Sequence, residues 1–281
     1  MAQAFNFQGT AAAITGAASG IGRALALGLA SKGADLAICD LNESGLTSLA
    51  QQVTTQFGRK VMIRRVDVSS GAQLDEFASA AVQMFPRLSV LANNAGVALL
   101  GDFDEIDQAQ MQWLMDINFW GVVHGTRAFL PHLQRQELAH IVNISSIFGI
   151  IAPPGQCAYS AAKFAVRGFS EALRHELQLK HSPVRLTVVH PGGIDTAIAR
   201  SAQHGAALRQ KIDVQEVGDR FKQMARTSPD QAAQRIIRGI ERNEPRVLIG
   251  NDAKLLDFFQ RIRPATYWKL MARAMERISR N

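Results

Sequence analysis

The chain is expected to fold as a doubly wound, Rossmann-like α/β domain with a parallel sheet, on three observations. Apolar runs of strand length near residues 10–15, 35–40, 61–67, 88–93, 139–145, 184–190 and 245–249 alternate with segments of helical length. Such alternation implies a parallel sheet, because each crossover helix returns the chain to the same end of the sheet. A glycine-rich turn, Thr15-Gly16-Ala17-Ala18-Ser19-Gly20-Ile21-Gly22, links the first run to a helical segment, Arg23 to Ala30. The second run, Asp35 to Cys39, then ends on an acid, Asp40.

A length of 281 residues suits one unit of this kind and allows a large buried core. No Pro/Ser linker, internal repeat or low-complexity tract interrupts residues 1–250. Residues 251–281 are read separately, as a basic amphipathic extension.

Each element contributes something to one site. In the first turn, glycines permit positive φ and close approach of backbone to ligand, and the helix that follows offers free N–H groups and a positive dipole end to a pyrophosphate. The spacing is G-x-x-x-G-x-G rather than the commoner G-x-G-x-x-G. Asp40, about 20 residues further on, is where a ribose 2′-hydroxyl would find its acceptor. Asp67, Asn93 and Pro191 also fall at or just beyond the carboxyl ends of expected strands, and ligands of open parallel sheets bind in the crevice at those ends.

Tyr159 and Lys163 stand four residues apart on an expected helix and share a face. A neighbouring ammonium favours phenolate, so this pairing draws a tyrosine toward acid/base work near neutrality. Two adjacent serines, Ser145 and Ser146, lie at a strand end, where successive side chains point to opposite faces and only one reaches a substrate.

With Asn93-Asn94-Ala95-Gly96, Asn118, Ser146 and Pro191-Gly192, these motifs resemble the short-chain dehydrogenase/reductase family, the branch with TGxxxGxG and YxxxK signatures. The likeness runs from Thr10 to about Leu248 in the family's order and spacing. It implies a hydride transfer between a nicotinamide cofactor and a secondary alcohol or ketone. Tyr159 would be the general acid/base, and Lys163 would lower its pKa and bond the nicotinamide ribose. Ser146, 13 residues before Tyr159, would hold the substrate oxygen, and Asn118 would position water in a proton relay. The cofactor would meet Gly16, Ser19, Gly20, Ile21, Gly22, Asp40, Asp67, Val68, Asn94, Ala95, Gly96, Tyr159, Lys163, Pro191, Gly192, Ile194 and Thr196.

NAD is expected over NADP, because Asp40 would bond the free ribose and repel a 2′-phosphate. Arg23 and Arg65 are the residues through which a phosphate reading would work. The resemblance also implies a segment near 197–228 that closes over substrate, and a homodimer or homotetramer. It leaves the substrate open, and Val97, Phe148, Ile150, Ile151, Pro153 and Pro154 are either an apolar pocket or ordinary loop packing. A second class stays in view: a nicotinamide-binding regulatory or scaffold protein on the same fold.

Seven Lys or Arg against two acids in residues 254–281 account for five of the chain's seven net positive charges. Leu255, Phe258, Phe259 and Ile262, then Trp268, Met271, Met275 and Ile278, recur at helical spacing, and Lys269, Arg273, Arg277 and Arg280 share another face. The stripe is expected to pack against the body or another subunit, with peripheral contact to an anionic membrane as the other destination. With the charge confined to one tail and no nucleic-acid motif, nucleic acid is not an expected partner despite the pI of 9.8. No metal is expected. The first ten residues lack a signal-peptide pattern, so a cytoplasmic setting is expected. Cys39 and Cys157 are both read as small packing residues.

Overall fold

The structure, a computed structural model, describes residues 4–194, 203–204, 227–269 and 272. Seven of its strands form one parallel sheet: β1 (Ala11–Thr15), β2 (Asp35–Asp40), β3 (Val61–Arg65), β4 (Leu88–Asn93), β6 (Ala139–Ile144), β7 (Val184–Pro191) and β9 (Arg246–Ile249). Their order across the sheet is β3-β2-β1-β4-β6-β7-β9, and every neighbouring pair is parallel. The order reverses between β1 and β4, the switch point at which crossovers leave to opposite faces and open a crevice. All seven expected strands are present. Two short strands were not foreseen: β5 (Leu99–Leu100) pairs with β8 (Gln203–His204) in a separate parallel ribbon.

Both faces of the sheet are covered, so β1, β4 and β6 are buried at every position rather than at alternate ones. One face receives α1 (Gly20–Ser31), α2 (Glu43–Phe57) and α7 (Pro229–Glu241), whose Leu25, Leu29, Leu46, Leu49, Ile236 and Ile240 share a core with Ile14, Leu36 and Ile38. Gly28 sets the crossing of α1 and α7, since a Cβ there would come within 2.6 Å of Ile237 Cδ1. The other face receives α3 (Gly71–Met84), α5 (Gly121–Leu133) and α6 (Cys157–Leu179), with Phe77, Phe129 and Leu177 over Leu91 and Ile141. Helix starts follow local chemistry. Asn42 accepts from Gly45 N–H to cap α2, and Ser228 and Gln231 form a reciprocal box around Pro229 at α7.

The helix after β9, α8 (Asn251–Ile262), decides one alternative and narrows another. Leu255, Phe258, Phe259 and Ile262 are 55%, 56%, 38% and 58% exposed, so this stripe does not pack on the body. The inward face is instead Ala253, Leu256 and Asp257, with Tyr267 following, set against Ile147, Ile150 and Ile151. Ile150 and Ile151 are accordingly core residues, each 1% exposed, and not pocket lining. Most of the second half of the tail lies outside the described residues, as does nearly all of the 197–228 segment. Cys39 is buried as expected, whereas Cys157 is exposed beside a cavity of about 230 Å³ lined with Phe103, Ile106 and Met111.

Candidate active site

The turn after β1 is held open by a latch that the motif alone did not disclose. Asn94 Nδ2 donates to the carbonyls of Thr15 (3.0 Å) and Gly16 (2.9 Å), while Thr15 Oγ1 accepts from the amides of Asn94 and Ala95. Gly16 has φ +65°, and a Cβ there would lie 2.7 Å from Ala95 Cα, so the β1 and β4 loops touch only because a hydrogen stands at Gly16. A Cβ on Gly22 would approach Gly16 O to 2.2 Å. Ser19 is the exposed N-cap residue of α1 and makes no capping bond. The first turn of α1 also carries no acid, so its dipole end is not neutralised locally. These features fit a pyrophosphate at Gly20, Ile21 and Gly22.

Asp40 reaches back to this turn: Oδ2 accepts from Ala18 N–H and Oδ1 from Asn42 N–H, both at 3.0 Å. The carboxylate is thereby fixed at the edge of the crevice. Arg23 is turned away, donating to Gly45 O, Ser48 Oγ and Gln52 Oε1 of α2. Arg65 is exposed at the end of β3, in register with Asp40. Asp67 caps its own loop through Ser69, and Val68 is buried against the start of α5, where a Cβ on Gly121 would meet it at 2.9 Å.

The candidate catalytic side chains gather beyond β4, β6 and α6. Ser145 and Ser146 diverge as strand geometry requires. Ser145 Oγ is buried and donates to Lys163 O at 2.8 Å, while Ser146 Oγ accepts from Phe148 N–H at 3.1 Å on the side of Tyr159, whose phenol it draws down in pKa. Gly149 is needed at this corner, since a Cβ there would stand 2.3 Å from Ser145 Oγ. The half-buried ring of Tyr159 meets Phe148 edge to face at 6.1 Å.

Lys163 is 4% exposed and donates from Nζ to Ile144 O at 3.2 Å, with Nζ 5.6 Å from the centre of the Tyr159 ring. Burial lowers its pKa to about 8. The expectation that Lys163 would pull Tyr159 down is not met. Burial of the phenol dominates and pushes it up to about 12, with the Ser146 hydrogen bond opposing. The ammonium is committed to a strand-end carbonyl and faces the ring rather than the phenol oxygen.

Asn118 is fully buried on a π-helical turn, Asp116–Trp120, between α4 (Gln108–Met115) and α5. Its Oδ1 accepts from Val97 N–H at 2.8 Å and its Nδ2 donates to Val97 O at 2.9 Å. A Cβ on Gly96 would lie 3.1 Å from Asn118 Oδ1 and 3.5 Å from Lys163 Nζ, so Gly96, Asn118 and Lys163 border one space. A helical segment was expected here, and the extra residue of a π turn was not. Such turns recur at functional sites because they re-aim one side chain within a helix.

Below the site, Asn93 Nδ2 donates to Asn143 Oδ1 (2.8 Å) and Thr126 Oγ1 (3.1 Å), and Asn143 Nδ2 donates to Ser170 Oγ (2.9 Å). This buried chain ties β4, β6, α5 and α6 together under Tyr159. His190 Nδ1 bonds Ser146 O at 2.9 Å from behind. At the end of β7, Gly192 N–H bonds Ile249 O, Gly193 N–H bonds Asp252 Oδ2 at 2.7 Å, and Ile194 is 4% exposed. Thr196 lies outside the described residues. Thr126, Asn143, Ser170, His190 and Asp252 carried no signal as isolated residues, because what matters is their partners tens of positions away.

The short chain dehydrogenase family model matches residues 10–207, well over half of the chain. A Mycobacterium tuberculosis protein named "Putative oxidoreductase SadH" is 44% identical over 268 residues, covering 95% of each chain. A solved short-chain dehydrogenase/reductase from Burkholderia phymatum, in complex with NAD, superposes with a TM-score of 0.83 at 32% identity, covering 92% of this chain and 95% of that one. An alcohol dehydrogenase from Thermococcus sibiricus, complexed with 5-hydroxy-NADP, shares the fold with a TM-score of 0.70 at 24% identity, covering 85% and 95%. The chain belongs to the short-chain dehydrogenase/reductase family.

Proposed function

We propose that the protein interconverts a secondary alcohol and a ketone by hydride exchange with NAD, using Tyr159, Ser146, Lys163 and Asn118. The observation that carries this reading is the gathering of four side chains in one place: Lys163 Nζ stands 5.6 Å from the Tyr159 ring, Gly96 borders both Lys163 and Asn118, and the Ser146 side chain is near enough to the Tyr159 phenol to act on its pKa. When bound, the cofactor supplies the hydride carrier and, in its oxidised form, a positive charge. The chain's own residues handle the oxygen and its proton.

In the reductive direction, Ser146 and Tyr159 both donate to the carbonyl oxygen, and Tyr159 gives up its proton as the alkoxide forms. A phenol held near 12 is fully protonated at neutral pH, which suits it as the acid. Lys163, whose pKa lies near 8, is charged at neutral pH and stabilises the phenolate left behind. Lys163 then returns a proton to the phenolate and regains one from water, and Asn118 orders the backbone of Val97 on one side of the space that this water must cross. In the oxidative direction the phenolate must form first, so alcohol oxidation is expected to rise with pH while ketone reduction does not.

NAD is preferred because Asp40 presents a fixed carboxylate to the ribose and Arg23 is committed to α2. The NAD complex of the Burkholderia phymatum relative is in keeping with this. Apolar side chains beside Tyr159, Phe148 and Val97, suit a lipophilic substrate. The test is nicotinamide absorbance with NAD and NADP across a panel of aliphatic, cyclic and aryl secondary alcohols and ketones. Turnover with a marked NAD preference is expected. Silence across the panel, with NADH shown to bind, would overturn the catalytic reading.

A further inference from the structure

The segment that follows β9 lies beyond the residues matched by the family model, yet two of its side chains reach the loops that frame the site. Asp252 Oδ2 accepts from Gly193 N–H at 2.7 Å. Tyr267 Oη accepts from Ala152 N–H at 2.8 Å, across 115 residues of sequence. Tyr159 and Tyr267 are the only tyrosines in the chain.

The Asp252 carboxylate occupies a seat built for it. A Cβ on Gly192 would fall 2.2 Å from its Oδ2, and one on Gly250 would fall 2.2 Å from its Oδ1. Gly250 has φ +95°, a conformation that side chains avoid, and it turns the chain from β9 into α8 so that Asp252 stands in the first turn of the helix. There the dipole of α8 favours its charge. Tyr267 packs among Ile147, Ile150, Ile151 and Ala253, with Phe148 at the edge of the same cluster. The helix is anchored from below by Asp257, 7% exposed, which accepts from Arg246 and Arg261.

We infer that α8 and the turn after it form a clasp across the active site, with Asp252 positioning the Pro191–Ile194 loop and Tyr267 positioning the loop of residues 147–152. Neither is a catalytic residue. Each acts through a backbone amide that, among the described residues, it alone holds: Gly193 on the side proposed for the nicotinamide, Ala152 on the side proposed for the substrate. The kinetic consequence rests on the oxidoreductase reading, but the two contacts do not.

The clasp predicts a split between the two variants. Asp252→Ala raises the dissociation constant for NADH about tenfold, the size of one lost charge-assisted hydrogen bond, with a smaller effect on the substrate KM. Asp252→Asn keeps an acceptor and recovers most of the loss. Tyr267→Phe raises the substrate KM several-fold and leaves NADH binding unchanged. A role in general stability would instead shift the melting temperature and move both constants together.

Hydrogen exchange read by mass spectrometry on the full-length chain tests the contacts without any turnover. Exchange should quicken in the peptide containing Gly193 in Asp252→Ala, and in the peptide containing Ala152 in Tyr267→Phe, each without the other. Unchanged exchange at both loops, or equal loosening of both by either variant, would overturn the clasp. If Asp252→Ala does not fold, Tyr267→Phe decides alone, and failure to loosen residues 147–152 selectively counts against it. A Tyr159→Phe protein that keeps its turnover would sink the catalytic reading while leaving these exchange results intact.

Discussion

Ser145 and Ser146 are identical in chemistry and adjacent in sequence, and the fold uses them differently because strand geometry points them apart. Ser145→Ala removes a buried bond to Lys163 O and is expected to destabilise by about 1 kcal/mol, a few degrees in melting temperature, with little change in turnover. Ser146→Ala should do the reverse, lowering kcat by about two orders of magnitude with the melting temperature nearly unchanged. Equal effects of the two substitutions on kcat would contradict the division. At the other end of the crevice, Asp40→Ala should weaken kcat/KM for NAD by at least about tenfold and narrow the gap to NADP, because a carboxylate fixed by Ala18 and Asn42 is lost. Steady-state kinetics with both nucleotides checks it. The roles suggested for these residues were legible as types at the right spacing. The position of the Tyr159 pKa was not, since it depends on how far burial outweighs an ammonium that has its own carbonyl partner.

Helix α6 is the element that turns spacing into geometry. Tyr159 and Lys163 share its inner face, as four-residue spacing requires, but the helix is set at its height by a polar contact nothing in its own sequence announces. Ser170 Oγ donates to Val166 O at 2.7 Å and accepts from Asn143 Nδ2. Ser170→Ala leaves a buried amide hydrogen without a partner, and the expected cost is about 1–3 kcal/mol, read as a lower midpoint in urea unfolding. The seven strands were legible because a parallel sheet covered on both faces demands continuous apolar runs. The π turn at Asp116–Trp120 was not, because one inserted residue changes no hydrophobic period. Nor was the orientation of α8. Its Leu/Phe stripe has the spacing of a core face, whereas the buried face is the narrower one of Ala253, Leu256 and Asp257, selected by the Arg246 ion pair.

Among the described residues, two buried histidines link the stability of the whole molecule to pH. Burial lowers His140 to about 3 and His190 to about 4. Above about pH 6.5 both are neutral whether the chain is folded or not, and they add no pH dependence. Below it the unfolded chain takes up protons that the folded one refuses, so stability falls as pH drops from about 6.5 toward 4, by up to about 1.4 kcal/mol per histidine per pH unit. Lys163, lowered to about 8, acts at the alkaline side, where stability rises between about pH 8 and 10.4. Thermal melts from pH 4 to 7 should show the acid slope, and His140→Gln should reduce it; a flat profile would contradict the burial of both rings. At this scale the sequence disclosed the parallel sheet and a crevice at its strand ends, but not the strand order that places the switch point between β1 and β4. It did not disclose that the last helix ties the two sides of that crevice together, because those contacts span up to 115 residues. The most direct test of the account is Tyr159→Phe, assayed for ketone reduction at saturating NADH alongside NADH binding. A loss of about two to four orders of magnitude in kcat with binding intact is expected, and retention of most of the turnover would show that this phenol is not the acid.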